Sequence, residues 1–441
     1  MPTADKLAYD RLPYPKVIVV GGGFAGLQVV KGLANTPYKV MLLDRQNHHC
    51  FQPLLYQVAT ASLSADSIAH PFRRTVGPMP NVAFRMANVL AIHPKEKQVE
   101  TDHGLLDYDI LVLATGTRTN FFGLHSCEEE AMQLKTISQA LDIRSDFLQE
   151  FETAIYLLDE KEQRHFLNFV IVGGGPTGVE LAGALAEIRK SVLKQEYREV
   201  ESSHMHIALI DGNDHVLGAF FPKSSANALK YLKQLGVDVR LGRRATGFAD
   251  GELLLDNGDR ISTNTVIWAA GVTGASIPGL EEGMDARAGR YKVDAFNRVE
   301  GHPEVYAIGD IALMTGDPAY PHGHPQLAQV AVQQGRRLVK NLKRLAKGEE
   351  AEPFAYHHKG SMAVIGRYRA VVDIGTYSFG GFFAWLLWMF VHVMQLVDFR
   401  NRIMVLLNWG WKYLSWRNTI RLIIRPYMRK PTMKAAMEEA R

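Results

Sequence analysis

The chain has 441 residues, more than one hydrophobic core usually holds, and this length predicts two or three domains. Hydrophobic residues make up 47% of the chain and charged residues 22%, a balance that excludes an intrinsically disordered protein. The formal net charge of +4 does not indicate a nucleic-acid-binding protein.

The N-terminal segment and the cysteines indicate a cytoplasmic, reducing location. Residues 1–16 are mixed polar, with two aspartates and three prolines, and lack the apolar run of a signal peptide. The chain has 2 cysteines, Cys50 and Cys127, which lie far apart and form no CxxC pair. Neither a disulfide framework nor a metal site is therefore expected.

The first pattern along the chain is a strand, a glycine-rich turn, a helix and a second strand. The run Lys16–Val20 (KVIVV) ends directly in Gly21–Gly26, and a helical stretch follows at Leu27–Leu33. The second strand, Lys39–Leu43, ends at Asp44. The glycines fit GxGxxG, which lets the backbone approach a pyrophosphate, and the acid lies about 20 residues on, where it can bind a ribose hydroxyl.

The same pattern recurs in the middle of the chain. Strand Phe169–Val172 ends in the second GxGxxG, Gly173–Gly178, and a helix is predicted over Val179–Ile188. Strand His206–Ile210 ends at Asp211, and we expect the charged segment between them, 189–203, to extend the crossover helix. The two fingerprints amount to an internal duplication, which predicts two dinucleotides: a resident flavin and an exchanging nicotinamide.

Four further features follow from the sequence: one hairpin, and three strands that each end in a small loop. The hairpin is predicted over Leu253–Arg260, around Asn257-Gly258. Strand Val305–Ile308 leads into Gly309-Asp310, which can present a carboxylate to the ribityl chain of a flavin. The other strands are Asp109–Ala114, before Thr115-Gly116, and Val266–Ala270, before Gly271.

The second acid bears on the choice of nicotinamide. A carboxylate at the position of Asp211 repels a 2′-phosphate and favours NADH over NADPH. Arg243 and Arg244 are close enough in sequence to weaken that inference. A solvated acid at a strand end is the alternative interpretation of Asp211.

Several segments together resemble the type II NADH:quinone oxidoreductase family of flavoproteins with two dinucleotide domains. The most specific is Asn47–Thr60 (NHHCFQPLLYQVAT), which in the family runs beside the flavin ring. The other matching segments are Leu113–Gly116, Gly173–Glu187, Trp268–Val272, Ala307–Asp310 and Ala328–Gly335. Two departures stand out: the family often has Glu where this chain has Asp44 and Asp211, and some members have His at the position of Val332.

The resemblance implies binding residues for non-covalent FAD and for NADH as co-substrate. The FAD residues are Gly21, Gly23, Phe24, Ala25, Gly26, Asp44, Arg45, Gln52, Val89, Ala114, Thr115, Gly116, Gly309, Asp310, Gln326, Leu327 and Ala328. The NADH residues are Gly173, Gly175, Pro176, Thr177, Gly178, Glu180, Asp211, Ala270 and Gly271.

The resemblance also implies catalytic roles for Glu180, Gln329 and Gln333, and of these the two glutamines border the quinone head group. The two glutamines are one helical turn apart, and the alternative is a hydrogen-bonded helix face. For Glu180 one interpretation is a first-turn glutamate favoured by the helix dipole. The other is a carboxylate near the nicotinamide that relays protons.

From about Gly375 the composition changes and indicates attachment to a membrane surface. The apolar run Phe382–Val397 is shorter than the ~20 residues that span a bilayer, and a buried core helix is the alternative. The tail contains the cluster Trp385, Trp388, Trp409, Trp411 and Trp416, and the basic residues Arg417, Arg421, Arg425, Arg429 and Lys430. Tryptophan favours the membrane interface and basic residues favour anionic headgroups, so we expect monotopic attachment, although some apolar surface could pack in a homodimer.

The sequence therefore predicts an α/β fold with two Rossmann-like domains, one for FAD and one for NAD, and an amphipathic helical C-terminal region. The expected segments are 1–118 and 296–375 for FAD, 119–295 for NADH and 376–441 for the membrane. The predicted activity is NADH:quinone oxidoreduction without proton pumping, at the cytoplasmic face of the cell membrane. The alternatives are a soluble reductase of a ferredoxin or rubredoxin, and an NADH-sensing flavoprotein.

Overall fold

The computed structural model describes residues 9–285, 287–415 and 421–429, so Trp416, Arg417 and Lys430 lie outside the described residues. The chain forms two compact units, each assembled from three segments. The first unit consists of Met1–Cys50, Ala69–Arg118 and Val272–His358. The second unit consists of Phe51–Ile68, Thr119–Gly271 and Lys359–Arg441. These limits divide the chain differently from the four predicted segments, whose functional assignment stays a prediction.

The first unit is built on a six-stranded sheet that is parallel except at one edge. In spatial order its strands are Arg298–Val299, His302–Ala307, Ile110–Leu113, Lys16–Val20, Lys39–Asp44 and Val82–Met86. Only the edge strand Arg298–Val299 runs antiparallel to its neighbour. The helices of this unit are Phe24–Gly32, Phe72–Val76 and Ala328–Leu345, with 3-10 turns at Glu281–Gly283 and Gly309–Ile311.

The central strand of this sheet shows why the apolar run is continuous. Val17 and Val19 pack into one hydrophobic cluster, while Ile18 and Val20 pack into another. Side chains alternate across a strand, so a run without polar residues indicates that both faces are covered. Smaller sheets complete the unit: His48–Cys50 with Ala69–Pro71, then Val89–His93 with Gln98–Thr101 and Gly104–Asp107, and Met284–Asp285 with Arg290–Lys292 and Ala312–Leu313.

The second unit repeats the arrangement with a five-stranded parallel sheet. Its strands, in spatial order, are Met132–Gln133, Thr265–Trp268, Asn168–Val172, His206–Asp211 and Asp238–Leu241. The predicted hairpin is confirmed as Glu252–Leu255 and Arg260–Ser262, which pair antiparallel around Gly258 at φ +87°. Strand Ala245–Ala249 extends this hairpin, and a further antiparallel sheet consists of Ser361–Val364, Ala370–Ile374 and Tyr377–Gly381.

Helices make up much of the remainder of the second unit. They are Leu55–Ala59, Ala65–Ile68, His125–Glu130, Ile137–Tyr156, Glu160–Phe166, Pro176–Ile188, Lys194–Glu196, Pro222–Gln234, Phe382–Gln395 and Phe399–Ser415. Shorter turns are Gln52–Leu54, Arg189–Leu193 and Ser202–His204. The expected extension of the crossover helix is only partly correct, because it passes through a π turn at Arg189–Leu193 and stops at Glu196.

The C-terminal helices have one buried face and one exposed apolar face. In Phe399–Ser415, Asn401, Val405 and Trp409 are buried at every fourth position. The exposed apolar residues of the two helices are Phe382, Phe383, Leu386, Phe390, Met394, Phe399, Ile403, Leu406, Leu407 and Trp411. None of the helices in the described ranges combines the length and the apolar character that crossing a bilayer requires.

The tryptophans and arginines of this region correct part of the sequence interpretation. Trp385, Trp388 and Trp409 are buried in the protein, so the prediction that they mark a membrane interface is wrong. Of the four tryptophans of the cluster that the structure describes, only Trp411 is exposed. The three arginines of the tail that the structure describes form ion pairs with acidic side chains of the second unit. The pairs are Arg421 with Glu196, Arg425 with Asp142, and Arg429 with Asp146 and Glu150.

Candidate functional site

The first glycine-rich turn is a close-packed backbone crossing. Gly21 has a φ of +98°, and a Cβ atom added there would lie 2.4 Å from the carbonyl oxygen of Ala114. A Cβ atom on Gly26 would lie 1.9 Å from the Gly21 carbonyl oxygen. At Gly23, by contrast, the space for a Cβ atom is open. The turn thus holds helix Phe24–Gly32 tightly against the sheet and leaves its N-terminus approachable, which suits a pyrophosphate.

Asp44 closes this turn at the tip of the second strand. Its Oδ2 atom accepts a hydrogen bond from the Gly22 N–H at 2.6 Å, and Oδ1 accepts one from the Gln46 N–H at 2.8 Å. Burial raises the pKa of Asp44, and the two backbone N–H groups and Arg45 oppose that shift. A carboxylate oxygen can accept more than one hydrogen bond, so Asp44 can still bind ribose hydroxyls.

His49 braces the same turn from the segment that runs beside it. Its Nδ1 atom lies 2.9 Å from the Gly22 carbonyl oxygen, and its ring packs edge-on against Phe24 at 5.3 Å. Burial lowers the pKa of His49 to about 4. The ring is therefore neutral, and Nδ1–H donates to Gly22.

Thr115 and Gly116 provide the test of whether this unit fits FAD. The hydroxyl of Thr115 is buried and has no hydrogen-bond partner within the described ranges. Gly116 next to it has a φ of +68° and open space at its Cβ position. A buried hydroxyl without a partner beside an open backbone indicates that a polar ligand completes the site. With the glycine turn and Asp44, these residues fit the nucleotide part of FAD.

The second glycine turn has the same backbone packing as the first at its three motif glycines. Gly173 has a φ of +118°, and its Cβ atom would lie 2.6 Å from Ala269 and Ala270. A Cβ atom on Gly178 would again lie 1.9 Å from the carbonyl oxygen of the first glycine, and the position of Gly175 is again open. The internal duplication predicted from the sequence therefore extends to the local backbone packing.

Asp211 occupies the position in the second unit that Asp44 occupies in the first. It accepts hydrogen bonds from the N–H of Gly174 and, at 2.7 Å, from the N–H of Asn213. Arg244 lies beside the next residue, since a Cβ atom on Gly212 would be 3.0 Å from its Cγ and Nε atoms. An acid that repels a 2′-phosphate and an arginine that could bind one thus lie close together, on two different loops.

Two glutamines of the Gln326–Gln334 stretch hold the predicted FAD acid Asp310 and its neighbour in place. The Gln326 Nε2–H donates to the Asp310 carbonyl oxygen at 3.1 Å. The Gln334 side chain is buried, and its Oε1 atom accepts the Gly309 N–H at 2.6 Å. The strand end with Gly309 and the start of helix Ala328–Leu345 are therefore locked together. Gln334 was missed in the sequence, because no local signal distinguishes it from Gln333.

The predicted quinone residues Gln329 and Gln333 lie on helix Ala328–Leu345, as their spacing predicts. The Gln333 Nε2–H donates to the His357 carbonyl oxygen at 2.9 Å, and its Oε1 accepts the His357 N–H at 3.1 Å. This pairing with the backbone agrees with the hydrogen-bonded alternative for Gln333. It leaves one N–H and one lone pair of the amide for a ligand.

Glu180 lies inside the second unit, on helix Pro176–Ile188. It is not in the first turn, so the helix-dipole interpretation is wrong. Its Oε1 atom accepts the Val364 N–H at 3.3 Å. Burial raises the pKa of Glu180 to about 8, although the Val364 N–H and the Trp388 indole oppose the shift. Glu180 is therefore protonated at neutral pH and can give up a proton near physiological pH.

A stack of buried rings from the C-terminal helices lies near Glu180. Trp388 stacks on His392 at 4.2 Å and is tilted against Trp409 at 5.6 Å. The Trp388 indole N–H is buried and makes no well-aligned hydrogen bond. The Trp409 indole N–H donates to the Gln57 Oε1 atom at 2.7 Å. These contacts join the tail to the Asn47–Thr60 segment, and no sequence signal indicated them.

The remaining predicted residues are distributed over the two units, and their binding roles stay predictions. In the first unit Arg45 and Leu327 are exposed, Val89 and Ala328 are half-buried, and Ala114 is buried. In the second unit Pro176 and Thr177 are exposed at a helix N-terminus, and Ala270 and Gly271 follow strand Thr265–Trp268. Gln52 belongs to the second unit, where its Nε2–H donates to the Lys135 carbonyl oxygen at 3.5 Å.

Neither cysteine has the environment of a reactive thiol. Burial raises the pKa of Cys50 to about 12 and that of Cys127 to about 11. A reactive cysteine needs a lowered pKa, because the thiolate is the nucleophile. No group of His, Cys, Asp and Glu with the arrangement of a metal site occurs within the described ranges.

Two family models and several known proteins match this chain. The model of the pyridine nucleotide-disulphide oxidoreductase family matches residues 15–335, and that of the NDH2 C-terminal domain matches residues 358–418. The type II NADH:quinone oxidoreductase NdhA of Mycobacterium tuberculosis is 35% identical, covering 91% of this chain and 87% of that protein. This chain belongs to the type II NADH:quinone oxidoreductase family. It is therefore an FAD-dependent NADH dehydrogenase, as the motifs predicted.

Two further relatives show how widely this type II oxidoreductase pattern is shared. A mitochondrial internal alternative NAD(P)H-ubiquinone oxidoreductase of Arabidopsis thaliana is 30% identical, over 92% of this chain and 86% of its own length. The structure of NDH2 from Plasmodium falciparum in complex with NADH superposes with a TM-score of 0.85. That match has 21% identity and covers 93% of this chain and 100% of the other, and it establishes the shared fold.

Proposed function

We propose that this protein oxidises NADH and reduces a membrane quinone to quinol, with FAD as the resident cofactor and without pumping protons. The observation that carries the proposal is the matched pair of glycine turns, each closed by a carboxylate, in a chain of this family. One turn serves the resident dinucleotide and the other serves the exchanging one. The alternatives of a soluble ferredoxin reductase and an NADH sensor have no comparable support.

The residues of the first unit bind and orient FAD. The first-turn N–H groups of helix Phe24–Gly32 would bind the pyrophosphate, Asp44 would hold the ribose, and Thr115 would donate or accept through its buried hydroxyl. The chemistry that FAD supplies when bound is acceptance of a hydride from NADH and delivery of two electrons to the quinone. In the second unit, the turn Gly173–Gly178 and Asp211 bind NADH.

The quinone side needs hydrogen-bond donors and a source of protons. Reduction of a quinone to a quinol takes up two electrons and two protons; the hydride supplies the electrons and one proton equivalent. Glu180 is protonated at neutral pH and can release the second proton, which the medium replaces. Gln329 and Gln333 are the proposed donors to the quinone oxygens.

A matched pair of glycine substitutions tests the division between the two nucleotides. Gly26→Ala and Gly178→Ala introduce the same 1.9 Å clash with a backbone oxygen. We expect Gly26→Ala to lose bound flavin, and Gly178→Ala to stay yellow but require much more NADH. Wild-type protein should reduce a soluble ubiquinone analogue with NADH. Colourless wild-type protein, or equal flavin loss in both variants, contradicts the proposal.

Membrane attachment is supported by the exposed apolar face of the C-terminal helices. Phe383, Leu386, Phe390 and Met394 recur at helical spacing and are 43–77% exposed. An apolar stripe of this kind on two consecutive helices buries itself in the boundary between headgroups and acyl chains. We therefore propose a monotopic enzyme at the cytoplasmic face of the cell membrane, where long-tailed quinones are dissolved.

A flotation experiment separates this role from a homodimer interface. Phe390→Glu and Leu407→Glu place a charge at positions 64% and 63% exposed, and Leu105→Glu is a control at a 57% exposed position of the first unit. Only the first two variants should fail to float with vesicles of zwitterionic and anionic phospholipid. Unchanged flotation, with a dimer that dissociates in these variants, would assign the face to a second copy instead.

A further inference from the structure

Arg290 is a buried cation whose side chain is bonded only to neutral groups. It begins the short strand Arg290–Lys292 of the first unit and is 8% exposed. Its Nη2–H groups donate to the carbonyl oxygens of Ala312 and, at 3.2 Å, of His324. Its Nε–H is buried and has no hydrogen-bond partner in the described part of the chain.

Such an arrangement is costly unless negative charge lies nearby. Burying a guanidinium without a paired anion removes hydration free energy of roughly several kcal/mol. Hydrogen bonds to carbonyl oxygens restore only part of this free energy. Burial lowers the pKa of Arg290, and the charges of Asp310 and Asp285 oppose that shift. Among the described residues no salt bridge joins Arg290 to either carboxylate, although the charge of the predicted FAD acid Asp310 acts on the guanidinium.

The loop that Arg290 holds leads directly to predicted FAD residues. Within it the His324 Nε2 atom lies 2.9 Å from the Asp317 Oδ2 atom, and the His324 ring packs against Phe354 at 5.2 Å. Two residues further on, Gln326 donates to the Asp310 carbonyl oxygen. Arg290 thus connects two segments: Ala312, which lies two residues after Asp310, and the loop that contains His324.

We propose that Arg290 is a positioning residue for FAD: it clasps loop 314–327 to the Asp310 turn and places a positive charge behind the flavin site. This inference rests on the proposed function, because it requires that FAD is the ligand of Asp310. The negative charge of the nucleotide, and of the flavin after reduction, then balances a cation that the protein leaves unpaired. The loop residues Gln326 and Leu327, and Ala328 at the start of the following helix, keep their positions only while the clasp is formed.

Two substitutions separate the charge of Arg290 from its hydrogen bonds. Arg290→Gln removes the charge, and Arg290→Lys keeps the charge but loses the fork that reaches two carbonyl oxygens. Arg298→Gln is the control, since Arg298 is on the edge strand of the same unit and lies over the Phe296 ring at 5.5 Å. Measurements on the holoenzyme are the dissociation constant of FAD by fluorescence, the flavin reduction potential, and the melting temperature with saturating FAD.

We expect Arg290→Gln to weaken FAD binding about 10-fold or more, which is the effect of ~1.4 kcal/mol, and to shift the reduction potential to a more negative value. Arg290→Lys should restore most of the potential but only part of the affinity, and Arg298→Gln should change neither. Unchanged affinity and potential in Arg290→Gln overturn the inference. The inference is also overturned if the Gln and Lys variants show an equal decrease in melting temperature while the flavin reduction potential is unchanged. Wild-type protein without FAD is a different result, which contradicts the proposed function itself.

Discussion

At the residue scale, burial gives Glu180 and Asp211 different chemistry, although both follow the second glycine turn. Glu180 is buried beside Trp388, and its pKa rises to about 8. Asp211 lies at the tip of a strand and is held by N–H groups of Gly174 and Asn213. One carboxyl group can therefore carry a proton at neutral pH, while the other is oriented to bind hydroxyl groups.

The first prediction concerns the pH dependence of quinone reduction. Because Glu180 has a pKa of about 8, its protonated form decreases as the pH rises through that value. The rate should therefore decrease above about pH 8. Glu180→Gln should remove this alkaline limb and lower the rate at pH 7 about 100-fold or more, since general acid catalysis contributes roughly 10²–10⁴-fold.

Reduction of ferricyanide by NADH is the control, because that acceptor takes no proton, and it should be unaffected by Glu180→Gln. The variant should also remain folded. In the wild type, the raised pKa of Glu180 lowers the free energy of unfolding increasingly as the pH rises from about 4.5 to 8. In that range this glutamate is ionised only in the unfolded chain. A limb that persists in the variant assigns the titration to another group.

The second prediction concerns the choice between NADH and NADPH. Asp211→Asn removes the charge that repels a 2′-phosphate and leaves Arg244 beside the loop. We expect KM for NADH to increase about 10-fold, the effect of losing ~1.5 kcal/mol from a charged hydrogen bond, and KM for NADPH to decrease. Steady-state assays with both nucleotides test this, with Asp214→Asn, on the same loop and exposed, as the control. An unchanged ratio contradicts the role of Asp211.

At the element scale, the C-terminal segment 421–429 is an amphipathic strap. Arg421, Arg425 and Arg429 face acidic groups, whereas Leu422 and Met428 are 64% and 83% exposed. Tyr427 adds a backbone pair, since its N–H donates to the Gln149 Oε1 atom at 2.6 Å and its carbonyl oxygen accepts from Nε2 at 3.2 Å. Arg425 and Arg429 attach the tail to helix Ile137–Tyr156, and Arg421 attaches it to Glu196. This is a different role from the predicted contact with lipid headgroups.

The third prediction concerns the stability of this strap. Asp146 and Glu150 are buried, and burial together with Asp146 raises the pKa of Glu150 to about 7. Arg429→Gln leaves both without a counter-charge. The loss should be about 1–3 kcal/mol, less than for a fully buried pair because Arg429 is 32% exposed. Denaturation at two pH values should show a larger loss at pH 8 than at pH 6, where Glu150 is mostly neutral.

Arg425→Gln is the matched control for this experiment. Its side chain is 69% exposed and pairs with Asp142 at the surface, so we expect a loss of at most about 0.5–1 kcal/mol. The double variant Arg429→Gln with Glu150→Gln should recover part of the stability, because one buried charge is removed. Equal losses in Arg425→Gln and Arg429→Gln contradict the distinction between surface and buried pairs.

At the scale of the whole molecule, we expect the stability of the first unit to depend on its ligand. Thr115 and Arg290 both have buried polar atoms without partners in the described ranges, and both lie near residues predicted to bind FAD. Groups of this kind are costly in the empty protein and are compensated when a ligand binds. The protein should therefore be considerably more stable with FAD than without it.

The fourth prediction is that removing FAD lowers the melting temperature and that adding it back restores the holoenzyme value. A ligand at 1,000 times its dissociation constant stabilises the folded state by about 4 kcal/mol. NADH alone should not replace FAD in this respect, because its proposed residues belong to the second unit. Differential scanning fluorimetry on apoprotein with FAD, NADH or neither measures the effect. Identical melting temperatures with and without FAD contradict the prediction.

The strand–turn–helix patterns could be predicted from the sequence because they depend on neighbouring residues. Strand Lys16–Val20 has the predicted limits. The strand and the helix on either side of the second glycine turn begin at most a few residues from their predicted limits. The predicted family was confirmed for the same reason, since its motifs are local. The Trp cluster was misinterpreted because composition does not indicate which face of a helix is buried.

The sequence by itself thus determined the two nucleotide folds, their glycine turns and acids, and the family. These features depend on the spacing of small, β-branched and acidic residues within a few tens of positions. Only the tertiary structure decided the state of Glu180, the clasp of Arg290 and the partners of the C-terminal tryptophans and arginines. Trp409 and Gln57 are 352 positions apart, and Arg429 and Asp146 are 283 apart. Burial and pairing over such separations depend on how the whole chain packs, and no local pattern carries that information.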